Sequence, residues 1–175
     1  PLSGVKITIL NHPEFGQTLS RSDGMFDLAV NGGGLLTINY EKTGFLPSQR
    51  QLNVPWQDFA LAPDAVLIAK DTTVTMVDLT VPSMQVARGG AVTDSRGTRK
   101  ATVIIPPGTQ AQVLLLNGTT QAVSTLNIRL TEYTVGANGP QAMPAPLPPT
   151  SGYTYAVELG ADGAVTKVAG KDVLF

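Results

Sequence analysis

The residues able to do chemistry are few. The 175-residue chain holds a single histidine, His12, and no cysteine. A nucleophilic hydrolase needs a base seated on its nucleophile, and transition-metal sites draw on Cys and His ligands. His12 stands in a turn beside Pro13 and Glu14, which reads as a surface or turn-packing residue, so neither a triad nor a metal centre is expected. Asp23 and Asp27 suggest oxygen ligands for Ca²⁺, but the spacing lacks the closing Glu of a twelve-residue calcium loop. Asp23-Gly24 is instead a tight-turn pair. Glu14, Glu41, Glu132 and Glu158 are scattered, each suited to an exposed strand edge, and two acids facing one cleft are not expected. Gly32-Gly33-Gly34 lacks the Lys-Ser/Thr of a phosphate loop. Catalytic, cofactor-binding and metal-ligating residues are therefore all expected to be absent, and the chain is not expected to be an enzyme.

The elements that would position any site are strands. Val, Ile and Thr together number 44 of 175 residues, while Gly and Pro reach 31. β-branched side chains suit pleated surfaces, and Gly and Pro punctuate turns. Alternating segments recur: Val5–Ile9, Met25–Val30, Leu35–Tyr40, Arg50–Val54, Val74–Leu79, Ala101–Ile105, Ala111–Leu116, Thr125–Tyr133 and Tyr153–Val157. Within Thr125–Tyr133 the pattern puts Leu126, Ile128 and Leu130 on one face and Asn127, Arg129 and Thr131 on the other. Asp23-Gly24 is read as a hairpin joining Thr18–Arg21 to Met25–Val30, and Asn117-Gly118 as a second hairpin signal. Charged residues are only 14% and the net charge is -1, which excludes the basic footprint of a nucleic-acid binder. No apolar run nears the roughly 18 residues of a spanning helix, so no membrane insertion is expected. The prediction is an all-β chain of two tandem antiparallel β-sandwiches. Residues 1–70 form the first, 71–82 a connecting strand or linker, and 83–175 a second domain that is truncated.

Three runs carry a resemblance: Gly4-Val5-Lys6-Ile7-Thr8-Ile9, Thr18 to Leu28 through Ser22-Asp23-Gly24-Met25-Phe26, and Leu36 to Pro47 through Thr43-Gly44-Phe45. They resemble the carboxypeptidase-regulatory-like, or transthyretin-like, sandwich. His12-Pro13-Glu14-Phe15-Gly16, Phe45 to Arg50 and Val54-Pro55-Trp56 bring the likeness closer to teneurins and bacterial RHS/YD-repeat proteins. Gly89-Gly90 with Pro106-Pro107-Gly108-Thr109 resembles the ZU-five β-domain of netrin receptors and ankyrins. The resemblance implies a structural module beside a YD-repeat β-shell, capping, plugging or scaffolding it. The implied partners are that shell and neighbouring β-domains of a parent chain. The implied setting is secreted or cell-surface, and bacterial. The alternatives are a cell-surface adhesion or carbohydrate-binding module and a self-processing domain cleaved after Phe175.

Related surface sandwiches carry Lys-Asn isopeptide bonds, for which Lys6, Asn39 or Asn53, and Glu41 as proton shuttle supply the residue types. Lys6 alternates against Val5, Ile7 and Ile9, which points it to solvent. Some ZU-five domains cleave themselves after Phe with a nearby His, which singles out Phe175, yet no His occurs in residues 83–175. Arg50 and Trp56 are residue types that dominate interfaces, although Trp56 behind Pro55 equally fits a core anchor. Asn117-Gly118-Thr119 matches a glycosylation sequon, which a bacterial origin would leave unused.

Overall fold

The structure is a computed structural model that describes residues 1–95, 97–114, 117–134, 140–145, 150, 155–161 and 166–168. Among them no α-helix occurs, only strands and two short 3-10 turns, Pro13–Phe15 and Pro140–Ala142. The chain divides into two units: Pro1–Ala69 with Ala137–Thr154, and Lys70–Gly136 with Tyr155–Phe175.

The first unit is built on one antiparallel sheet. Its strands are β1 (Lys6–Ile9), β2 (Gln17–Leu19), β3 (Gly34–Glu41) and β4 (Ser48–Val54), in the order β2-β1-β3-β4. Successive side chains alternate across the pleat, so Ile7, Ile9, Leu36, Ile38 and Tyr40 share the buried face with Val5 just before β1. Ile7 is wholly buried. Ser20 closes one edge: its hydroxyl accepts from the Val5 N–H at 2.9 Å and donates to the Leu2 carbonyl at 2.7 Å.

The second layer differs from expectation. Met25–Val30 is not a ladder strand, and β2 pairs with β1 rather than with it. The Asp23-Gly24 turn does form: Gly24 N–H donates to Arg21 O, Arg21 N–H to Met25 O, and Met25 N–H to Asp23 Oδ1. Gly24 has φ 82°, a conformation that favours glycine. Beyond the turn the chain leaves the sheet edge and lies across its apolar face. Phe26, Leu28 and Val30 pack on the core there, joined by Ala62, Ala65 and Leu67. The Phe26 ring meets Tyr40 edge-on, with centroids 5.9 Å apart. Alternation thus governs which side chains are buried without supplying hydrogen-bonded partners.

The second unit contains β5 (Val74–Asp78), β6 (Gln85–Arg88), β7 (Val92–Asp94), β8 (Gly97–Arg99), β9 (Thr102–Ile105), β10 (Ala111–Leu114), β11 (Thr120–Val123), β12 (Thr125–Glu132), β13 (Val157–Ala161) and β14 (Thr166–Val168). They pair antiparallel as β13-β12-β5, β11-β10-β14, β6-β9 and β7-β8. Val77, Ala87, Ile105, Ala111 and Leu126 form the core. The segment 71–82, which reads in sequence as a connection, holds β5, which pairs with β12 and belongs to this unit. Residues 140–145, expected in the second domain, belong to the first unit, where Gln49 N–H donates to Pro144 O at 2.7 Å.

β12 departs from its expected alternation at one end. Leu126 and Leu130 are buried and Asn127 is exposed, as the pattern requires, but Thr131 on the polar face is buried too, as is Glu132 on the face of Leu126 and Leu130. Thr131 is covered because its hydroxyl accepts from the Asp71 N–H at 3.0 Å. Glu132, expected at an exposed edge, accepts from the Thr134 N–H at 3.0 Å and from the Thr134 hydroxyl. Those donors offset the cost of burying a carboxylate.

Candidate functional site

The reactive combinations fall apart in three dimensions. His12 Nδ1 lies 2.9 Å from Glu14 Oε1, and the imidazole stacks on Phe15 at 5.0 Å. That hydrogen bond lowers the Glu14 pKa, and both side chains are exposed. Asp27 Oδ2 accepts from Arg21 Nη1 at 2.5 Å, with Asp23 Oδ1 at 3.9 Å from Arg21 Nε, so the two acids share one guanidinium. The hydrogen bond to Asp27 raises the Arg21 pKa. Among the described residues, no group of three His, Asp or Glu is placed to hold a metal ion. Glu158 stands opposite Thr131 and therefore one residue out of step with Glu132, which sends the two carboxylates to opposite faces.

Lys6 faces Glu41 across β1 and β3, Nζ to Oε2 at 3.8 Å, with side chains 47% and 55% exposed. Asn39 lies on the same sheet face, opposite Thr8, and its Oδ1 is buried without a hydrogen-bond partner. Asn53 pairs with Leu35, about 20 Å along β3 from Glu41, beyond reach of Lys6. The arrangement makes a solvated ion pair. Phe175 lies outside the described residues.

Arg50 and Trp56 separate into two roles. Arg50, opposite Ile38 on β4, donates Nη1 to Met143 O at 2.9 Å and to Gln49 O at 2.6 Å, and Nη2 to Gln141 O. Burial lowers its pKa. Two of these acceptors lie in the 140–143 segment. Trp56 is 68% exposed and is no core anchor. Downstream, Phe59 is 97% and Leu61 91% exposed. The Gly32–Gly34 segment, which carries no phosphate-loop geometry, positions this stretch: Gly33 N–H donates to Val54 O at 2.7 Å. A Cβ on Gly32 would lie 2.0 Å from Pro55 O, so only glycine allows the approach. Leu35, on the outer face of β3, is exposed nearby in the chain. Large apolar side chains concentrated at the surface mark interaction sites. Composition does not separate such residues from core ones, and only Pro55 and Asp58 beside them hint at a loop.

A second cluster is centred on Asp71, in a stretch that reads in sequence as a polar interruption. Its Oδ2 accepts from Gly90 N–H at 2.5 Å and Oδ1 from Thr73 N–H at 2.7 Å, while Arg129 Nη1 donates to its carbonyl. A Cβ on Gly90 would stand 2.8 Å from Oδ2, and one on Gly89 2.5 Å from Leu130 O. Burial pushes the Asp71 pKa up, but the Thr73 and Gly90 amides, the Thr73 side chain and Arg129 outweigh it and the net shift is downward. This cluster holds backbone segments together.

Comparison with known proteins gives the first unit its family. The family model described as "Teneurin TTR-like domain" matches residues 1–67. Those residues are a teneurin transthyretin-like domain. Teneurin-3 of Mus musculus is 32% identical over 140 residues, covering 76% of this chain and 5% of that protein. That alignment is too long to stop at residue 67 and reaches into the second unit. Teneurin-4 of Mus musculus is 37% identical over 79 residues, 45% of this chain and 3% of that one. Teneurin-m of Drosophila melanogaster is 38% identical over 92 residues, 53% and 3% respectively. The chain thus spans about a twentieth or less of the teneurins it matches. These relatives are animal proteins, and the bacterial source expected from the sequence finds no support among them. No solved structure matches the chain.

Proposed function

We propose that this chain is a non-catalytic structural module of a teneurin-like, cell-surface protein. It seats on neighbouring β-structure of the parent chain, with the YD-repeat shell as its partner. The observation that carries this reading is the exposure of Trp56, Phe59 and Leu61 within one short stretch of a teneurin transthyretin-like domain. Burying such side chains would contribute roughly 1.5–3 kcal/mol each, which a free surface forgoes. The ZU-five resemblance expected from the sequence of residues 83–175 fits a second β-module with the same kind of role.

The test compares the isolated chain with the full parent protein. Backbone amides of 56–61 are expected to exchange freely in the isolated chain and to be protected in the parent. Phe59→Ser with Leu61→Ser is expected to lower the melting temperature of the parent while leaving that of the isolated chain unchanged. Free exchange of 56–61 in the parent would overturn the proposal. The exposed Trp56 also suits a carbohydrate-binding module, since aromatic faces stack on sugars; saturable binding on a glycan array that is lost in Trp56→Ala would favour that reading instead.

A further inference from the structure

We infer that Asn117 is an N-glycan attachment site. Asn117-Gly118-Thr119 is the single Asn-x-Ser/Thr triplet in the 175 residues, and such triplets with x other than Pro are glycan acceptors when they lie on an accessible loop. The triplet occupies the loop between β10 and β11, whose ladder closes with Leu114 opposite Thr120. Asn117, Gly118, Thr119, Thr120, Gln121 and Ala122 are all exposed. Gly118 takes φ 81°, and among the described residues a Cβ built there would meet nothing within 4 Å.

The local hydrogen bonds present the reacting atom. The Asn117 Oδ1 accepts from the Thr119 N–H at 3.0 Å and from the Thr119 hydroxyl at 2.7 Å. A planar amide that turns its oxygen inward onto two donors carries its NH₂ on the opposite side, toward solvent. The residue two positions on is therefore read through its hydroxyl, which Ser could supply and Ala could not. The co-reactant is a lipid-linked oligosaccharide diphosphate, delivered by a membrane transferase. Asn117 Nδ2 bonds to the anomeric carbon, the bond from that carbon to the diphosphate oxygen breaks, the lipid diphosphate leaves, and one amide proton passes to a base of the transferase. No electrons are exchanged with an oxidant or reductant.

A glycan at this tip would keep the β10–β11 end of the second unit in solvent and confine packing to other surfaces. The inference requires passage through a secretory compartment, which the proposed cell-surface role supplies. To separate the two, the 175-residue chain is secreted from animal cells behind a cleavable leader, which tests the acceptor whatever the native location. Release with peptide-N-glycosidase in heavy-oxygen water is expected to convert Asn117 to an aspartate carrying heavy oxygen, with a matching fall in apparent mass. Thr119→Ser is expected to keep the modification, and Thr119→Ala and Asn117→Gln to abolish it. Folding of each variant is checked by its melting curve, and Thr119→Ser reports even if Asn117→Gln fails to fold. Secreted, folded chain with unmodified Asn117 would overturn the inference. So would an aspartate at that position without heavy oxygen, the product of spontaneous Asn-Gly deamidation.

Discussion

At the scale of single residues, charged groups here hold backbone in place. Asp71 is the clearest case, because each carboxylate oxygen accepts a backbone N–H. Asp71→Ala is expected to cost about 2 kcal/mol of stability in a denaturant melt, the range for hydrogen bonds to a charged group. The pH dependence follows from the direction of its shift. A carboxylate whose folded pKa is depressed contributes stability that is present above its unfolded value and lost as pH falls through the folded value. Asp71 is so depressed, so the chain is expected to lose stability on acidification below the ordinary carboxylate range, and Asp71→Ala to flatten that loss. Lys6 and Glu41 illustrate the opposite. Their pair is solvated, surface pairs contribute little, and an isopeptide bond from Lys6 needs a desolvated partner. In chain made without glycosylation, the intact mass is therefore expected to equal the sequence mass, with no ammonia lost.

Elements add constraints that no residue shows alone. β1 runs through the middle of its sheet between β2 and β3, and Ile7 on it is wholly buried. Ile7→Ala is expected to destabilise the chain by about 2–5 kcal/mol, the transfer and cavity cost for a large aliphatic residue. The glycines at the start of β3 give a sharper contrast. Gly32→Ala would drive a Cβ against Pro55 O, whereas Gly34 has nothing within 4 Å. Thermal melts should show Gly32→Ala losing about 1–3 kcal/mol from overpacking and Gly34→Ala close to unchanged. Equal losses at both positions would mean the close approach to Pro55 does not constrain the turn.

For the whole molecule, the first unit is discontinuous in sequence. Arg50 reaches carbonyls more than ninety positions away, its separation from Met143 being 93. Removing those partners leaves a half-buried guanidinium unsatisfied. Arg50→Met is accordingly expected to destabilise the full chain, and to have a much smaller effect in a chain ending at Ala69, where the carbonyls are already gone. Equal effects in both backgrounds would show that Arg50 acts only within β4. The same reach explains why a boundary drawn from composition puts 140–145 in the other domain: a proline-rich stretch looks like a connection until its carbonyls are seen to be accepted.

Much was legible from local pattern. The all-β class, the turns at Asp23-Gly24 and Asn117-Gly118, and the buried faces at Ile7 and Leu126 follow from alternation and turn chemistry, which operate over a few neighbours, whereas the teneurin likeness rests on resemblance to known motifs. Tertiary structure decided what depends on distant partners. It made Met25–Val30 a cover without a ladder, buried Thr131 beneath Asp71, and sent Arg50 inward while leaving Trp56 outside. A period of two tells a side chain which face it occupies, but the strand that accepts its backbone hydrogen bonds, and the layer that covers it, are selected only when remote segments compete for the same surface.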